Sequence, residues 1–147
     1  TKEGPKVLEF NCRFGDPEAP PVLARIQGDL AEAMVAVSEG WLDRVKLSFD
    51  PRPAVCVVLA SPGYPGRVQT GQRITGLEEA ARIPGVEIFH AGTRRLPNGD
   101  VVTSGGRVLG ITALGDDAAA ARDRAYEAAG LIRFDGMHFR KDIGASL

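Results

Sequence analysis

The seven residues Ala54–Ala60, AVCVVLA, set the tightest limit on what this chain can become. An unbroken apolar run that follows Pro53 and stops at Ser61-Pro62-Gly63 has to be covered on both faces, so it predicts a buried, central strand. It is the longest such run in the chain, and it falls far short of the roughly 20 residues that span a bilayer.

Shorter patterned segments surround it. Val45, Leu47 and Phe49 alternate with Lys46 and Ser48 and predict a half-buried strand, broken by Asp50-Pro51-Arg52-Pro53, where a domain boundary is expected. Residues 86–91 and 108–114 predict two more strands, and residues 93–96 and 100–103 a ribbon closed around Pro97-Asn98-Gly99, in which Asn-Gly is a strong hairpin signal. Leu23, Ile26, Leu30, Ala33, Met34 and Val37 recur at helical spacing from residue 22 until Gly40. A short helical turn is expected at residues 77–82. An Ala-rich helix follows at residues 118–129, with Asp116 as its cap and Gly130 as its stop. Phe134 and Phe139 anchor a final strand or loop at residues 132–143. Strands, helix, several strands, helix is an α+β order with a mixed or antiparallel sheet, not a run of βαβ units.

Among 147 residues, 18 basic and 19 acidic side chains are interspersed. With a net charge of −1 there is no basic stripe for nucleic acid, and small-molecule chemistry or a protein partner is expected. Cys12 and Cys56 read as buried free thiols, which fits a reducing, cytoplasmic setting. No basic-then-apolar leader opens the chain, and no membrane association is expected. Thr1 stands where an initiator Met would be, and Gly4-Pro5 reads as a turn from an earlier strand, so the chain is expected to be part of something larger.

Two stretches carry candidate chemistry. In residues 7–18, VLEFNCRFGDPE, Leu8, Phe10, Cys12 and Phe14 alternate with Val7, Glu9, Asn11 and Arg13, predicting a strand with an apolar face and a polar one. Same-face neighbours lie roughly 6.5–7 Å apart. The long Glu9 side chain can close that gap to the roughly 3 Å between two oxygens on one hard cation. Glu9 and Asn11 therefore either share a magnesium ion, with Arg13 beside them for an anion, or form the solvated face of an edge strand. Asp16-Pro17-Glu18 then has the chemistry of a helix entry. In the second stretch, Ser104-Gly105-Gly106-Arg107, adjacent glycines can aim backbone N–H groups at one anion and Arg107 adds a charged fork. A tight strand turn is the other reading of the same glycines. His90 and His138 lack metal or nucleophile partners at recognisable spacing and read as structural, and Asp135, Arg140 and Asp142 as an ion-pair network.

Four motifs spread along the chain resemble one family: GPKVLEFNCRFGDPE at residues 4–18, FHAGT at 89–93, SGGRVLGITALG at 104–115 and RFDGMHFRKDIG at 133–144. The chain resembles the C-terminal part of the phosphoribosylamine-glycine ligases (glycinamide ribonucleotide synthetases), ATP-grasp enzymes of purine biosynthesis. The resemblance implies residues 1–49 as the last strand and helix of an ATP-grasp domain and residues 50–147 as a small C-terminal substrate-binding domain with one main helix. It implies an ATP-dependent ligation of glycine to 5-phosphoribosylamine through a glycyl phosphate. Glu9 and Asn11 match the metal pair of the family's E-x-N motif, for Mg2+ or Mn2+. Arg13 matches an arginine facing the reacting carboxylate or phosphate, a binding and catalytic role. Arg107, Gly105 and Gly106 would hold the substrate phosphate, and Asp16 and Glu18 would help place the amine or glycine. The family's N-terminal domain and most of its ATP-grasp fold have no counterpart here, so the chain alone is expected to be inactive without that portion or a companion chain. A different ATP-grasp carboxylate-amine ligase and a non-catalytic binding or assembly module are the alternatives.

Overall fold

The computed structural model describes residues 1–145. In chain order its elements are α1 (Ala19–Leu23), β1 (Ile26–Gln27), α2 (Leu30–Glu39), a 3-10 turn (Leu42–Arg44), β2 (Ser48–Phe49), β3 (Ala54–Ala60), α3 (Leu77–Ala81), β4 (Val86–His90), β5 (Thr93–Arg95), β6 (Val101–Thr103), β7 (Arg107–Leu114) and α4 (Ala118–Leu131). The strands form three antiparallel sheets, β1-β2, β3-β7-β4 and β5-β6.

The core lies between the three-stranded sheet and α4. Val55, Val57 and Leu59 pair in register with Ala113, Ile111 and Leu109, so six apolar side chains share one face. Against it α4 lays Ala121, Ala125, Ala128 and Ala129, all fully buried. Small alanines let the helix backbone approach the sheet closely, while the bulk that fills the layer comes from Leu59, Leu109, Ile111 and Ile132. Burying each of these larger side chains stabilises the fold by roughly 1.5–3 kcal/mol. The opposite face, which carries Cys56, Val58 and Gly110, is partly covered by α1, whose Pro20 would lie 4.0 Å from a Cβ at Gly110. Burial pushes the Cys56 thiol up from its ordinary value of 9.0.

Several expectations need correction. Ala54–Ala60 is a strand as expected, but the central strand is β7, and β3 flanks it. Residues 7–14 form no strand: they have no ladder partner, and Leu8 and Phe10 are 96% and 84% exposed. An alternating pattern makes a strand only where a neighbouring strand takes up its N–H and C=O groups, and the described residues offer none. Cys12 is consequently exposed, not buried. The expected helix from residue 22 to Gly40 is interrupted after Leu23, because Gly28 adopts φ +126° and Asp29 caps a fresh start by accepting from Glu32 N at 3.0 Å. Gly40 ends α2 in the left-handed conformation, as expected. Of residues 45–49 only Ser48–Phe49 is strand. Asp117, not Asp116, caps α4, and Gly130 lies inside its last turn. α1 starts at Ala19 with Glu18 at its N-cap position, so Asp16 does not cap it.

The final segment is held by two isolated bridges, Thr75 with Arg133 and Ala60 with His138, and by Tyr126, whose hydroxyl donates to Arg140 O and accepts from Ile143 N. Among the described residues, no helix is long and apolar enough to cross a membrane.

Candidate functional site

Where β3 ends and β7 begins, the two strands place a serine against the glycine pair. A bulge between Leu59 and Ala60 brings Ala60 opposite Arg107, and the fully buried Ser61 follows it. Ser61 N donates to Gly106 O at 2.8 Å and Ser61 Oγ donates to Gly105 O at 2.8 Å. From the other side Ser104 N donates to Gly92 O at 2.7 Å and Gly92 N to Arg107 O at 2.9 Å. Glycine is required by space here: a Cβ on Gly106 would come within 2.5 Å of the Tyr64 ring, and one on Gly92 within 2.8 Å of Gly105 Cα. Gly105-Gly106 is thus a close-packed bend that joins β6 and β7, strands of separate sheets. The anion-binding reading remains compatible with it, since the Gly105 and Gly106 N–H groups have no partner among the described residues.

Arg107 stands at the exit of this turn. Its Nη2 lies 3.1 Å from Asp16 Oδ2, and its Nη1 donates to Asp16 O at 3.3 Å. Both side chains are well exposed, so the pair adds little stability. Its content is positional: two candidate site residues, 91 positions apart, meet. Beneath them lies a small cavity of about 40 Å³ lined by Asp16, Pro17, Pro20, Cys56, Phe89 and Arg107 among others.

The polar residues of the opening segment lie in the open. Asn11 Nδ2 donates to Glu9 Oε1 at 3.2 Å, so the two side chains do reach one another across the strand-like spacing. Arg13 Nη1 donates to the carbonyl of Phe14 at 3.2 Å. The Glu9 carboxylate and Asn11 amide are the hard oxygen donors a magnesium-sized ion prefers, once the amide turns over to present Oδ1 in place of its NH2. They are two ligands of the six such an ion takes. No cluster of three or more His, Cys, Asp or Glu side chains that could hold a metal occurs among the described residues. The donor set fits as part of a site.

The remaining candidates fall elsewhere. His90 Nδ1 lies 2.9 Å from Thr93 Oγ1, and His138 pairs through its backbone with Ala60. Arg140 and Asp142 pair at 2.6 Å, while Asp135 is outside that pair, so the expected network reduces to one exposed contact. Sequence reasoning passed over Ser61, whose available signal was a small polar residue ending an apolar run. It also passed over a wide cleft of about 660 Å³ along β4 and α3, lined by Arg73, Glu78, Glu87, His90, Arg95 and Asp100 among others. That cleft is assembled from four separate stretches and leaves no local motif.

Comparison with known proteins identifies the architecture around this turn. The phosphoribosylglycinamide synthetase C-domain family matches residues 54–146. The chain belongs to that family. It is 55% identical over 144 residues to the phosphoribosylamine--glycine ligase of Rhodopirellula baltica, covering 97% of this chain and 33% of that protein. To the ligase of the same name from Pseudomonas aeruginosa it is 52% identical over 140 residues, covering 95% of this chain and 32% of the relative. A chloroplastic phosphoribosylamine--glycine ligase of Arabidopsis thaliana is 50% identical over 141 residues, covering 95% of this chain and 26% of that protein. The crystal structure of phosphoribosylamine--glycine ligase from Thermotoga maritima superposes with a TM-score of 0.71 at 34% identity, covering 93% of this chain and 33% of that one. The mixed α/β fold with small antiparallel sheets is thus the family's, and the chain spans about a third of the length of the curated relatives it matches.

Proposed function

We propose that this chain supplies the substrate-phosphate turn and part of the metal site of an ATP-dependent ligase that joins glycine to 5-phosphoribosylamine in purine biosynthesis. The observation that carries the reading is the turn itself, where two unpartnered glycine amides and the Arg107 guanidinium gather on one short stretch. Amide donors and a charged fork are what a phosphate monoester dianion requires. Family membership and the names of the relatives support the choice of reaction.

In the reaction a glycine carboxylate oxygen attacks the ATP γ-phosphorus as the bond to the β-phosphate oxygen breaks, giving glycyl phosphate and ADP. The phosphoribosylamine nitrogen then attacks the acyl carbon, phosphate leaves and the amine gives up a proton. Such chemistry needs positioning and charge neutralisation more than a protein nucleophile. Arg107 and the Gly105 and Gly106 amides hold the phosphoribosyl phosphate. Asp16, already on Arg107, and Glu18 help place the amine or glycine, and Arg13 turns from the Phe14 carbonyl to the reacting carboxylate or phosphate. Glu9 and Asn11 would hold Mg2+ or Mn2+, which supplies neutralisation of the nucleotide phosphates when bound.

Residues 1–49 are, in this reading, the C-terminal end of an ATP-grasp domain, in which residues 7–14 become a strand once a neighbouring strand pairs with them, and residues 50–147 are the C-terminal domain. The apolar side chains of residues 7–14 and the outer face of α2 are then covered by the portion that the relatives possess beyond this chain's span. The two free thiols fit a reducing compartment such as the cytoplasm. The test mixes this chain with a polypeptide carrying the first two thirds of a relative, then adds ATP, Mg2+, glycine and phosphoribosylamine. ADP should form with both substrates and not with this chain alone. No ADP from a mixture that demonstrably associates would overturn the reading, and ADP with another carboxylate in place of glycine would redirect it to a different ligase.

A further inference from the structure

We infer that Ser61 is a positioning residue for the phosphate turn, orienting the Gly106 N–H toward the anion; the inference rests on the proposed phosphate role of Gly105, Gly106 and Arg107. The argument is one of peptide geometry. A trans peptide unit is planar, and its C=O and the N–H of the next residue point in opposite directions. Ser61 Oγ donates to Gly105 O, which pins that carbonyl inward on a fully buried hydroxyl. The Gly106 N–H, the other end of the same peptide unit, is thereby turned away from Ser61, and it has no partner among the described residues.

Without the hydroxyl, the Gly105 carbonyl loses its one hydrogen-bond partner among the described residues, and a peptide unit between two glycines has backbone conformations open to it that other residues lack. Ser61 N still donates to Gly106 O, so the next unit stays fixed and the turn as a whole persists. The hydroxyl therefore governs one donor direction instead of the fold of the loop. A buried serine whose one donated proton goes to the carbonyl directly preceding a free amide is placed to pre-organise an anion site. The bond also satisfies a hydroxyl that would otherwise be buried without a partner.

The experiment follows backbone amide NMR signals of the full chain as inorganic phosphate, and separately ribose 5-phosphate, is added. In the unmodified chain phosphate should move the Gly106 signal, and Arg107→Ala should abolish binding. Ser61→Ala should weaken phosphate binding by about two- to tenfold, the value of one neutral hydrogen bond. It should also shrink the Gly106 response more than that of the Arg107 side chain. Ser61→Thr, which keeps a hydroxyl, should restore affinity to within about twofold. Thermal unfolding of each variant separates loss of fold from loss of orientation. If the unmodified chain binds phosphate and Arg107→Ala does not, while a folded Ser61→Ala binds as tightly with an unchanged Gly106 shift, the role of Ser61 is overturned and the phosphate turn stands. A phosphate-dependent shift confined to Arg107 in the unmodified chain overturns it equally, even if Ser61→Ala fails to fold. If no phosphate binds to the unmodified chain at all, the phosphate reading itself falls.

Discussion

Residues 7–49 and residues 54–134 are both rich in patterned apolar side chains, yet the first region buries only small ones, Ala33 and Ala36, while the second buries large ones as well. Leu8, Phe10, Met34, Val37 and Phe49 all belong to the first region and are exposed. In the second, Tyr64 and Leu131 are the large apolar residues left exposed, while Val57, Leu59, Leu109 and Ile111 are sealed between sheet and helix. Part of the difference is in the patterns, since residues 7–14 alternate while β3 is apolar throughout. The rest is context: β3 has β7 within hydrogen-bonding distance and α4 over its face, whereas residues 7–14 have no ladder partner among the described residues. A periodic pattern states which face wants cover, and it leaves open what provides it.

The strongest way to break this comparison is to remove one side chain from each region. Ile111→Ala, in the sealed layer, should lower the unfolding free energy by about 2–5 kcal/mol, because the deleted atoms leave a cavity between sheet and α4. Phe10→Ala, although it deletes a larger side chain, should change it by no more than about 0.5 kcal/mol in this chain. Urea denaturation with the slope held constant reads both. Comparable losses would mean that the opening segment is packed after all.

The two thiols offer a gentler comparison. Cys12 is exposed and should react with a neutral alkylating reagent at least about tenfold faster than Cys56 in the folded chain, the ratio collapsing toward one in urea. Because burial raises the Cys56 pKa above 9.0, the folded state holds that proton more tightly than the unfolded state does. Its contribution to stability is therefore complete below about pH 9 and is lost as pH climbs beyond that toward the folded value. Mass mapping of the alkylated peptides across pH checks both statements. Equal rates in the native chain would show that the covering of Cys56 by α1 is open.

What could be read from the sequence follows the same division. The bounds of β3 were legible to the residue because a short apolar run between Pro53 and Ser61-Pro62-Gly63 is too short for a helix, and β4, the β5-β6 ribbon and α4 followed from local signals such as Asn98-Gly99. The order β3-β7-β4 was not legible, since nothing local says which of several apolar strands takes the middle. In the first region the helical spacing ran through Gly28 and Asp29, and there the local chemistry of a positive φ and a cap overrode the periodicity. For the site, Gly105, Gly106 and Arg107 were visible as a type of sequence. Their contact with Asp16 and their support by Ser61 depend on chain reversals, which no spacing records.

The junction between the regions supplies the finest test. Asp50 sits where β2 ends: its N donates to Arg25 O at 2.7 Å and its carboxylate is gripped by Arg52, with Nη2 2.7 Å from Oδ2. The hydrogen bonds from Arg52 hold the Asp50 carboxyl well below the usual range, at about 2 against 3.8. A lowered folded-state pKa means the ionised form favours the folded chain. The contribution is present above about pH 4 and disappears as pH falls through about 2. An NMR titration of the Asp50 carboxyl carbon should show that low midpoint, and Arg52→Ala should return it toward 3.8 with little effect on β3 or its neighbours. The expected change is local, because the pair lies in the turn after β2 and neither side chain belongs to the layer between the sheet and α4. An Asp50 midpoint already near 3.8 in the unmodified chain would mean that this turn is loose in solution, and that β1 and β2 share the open character of residues 7–14 instead of the order of β3.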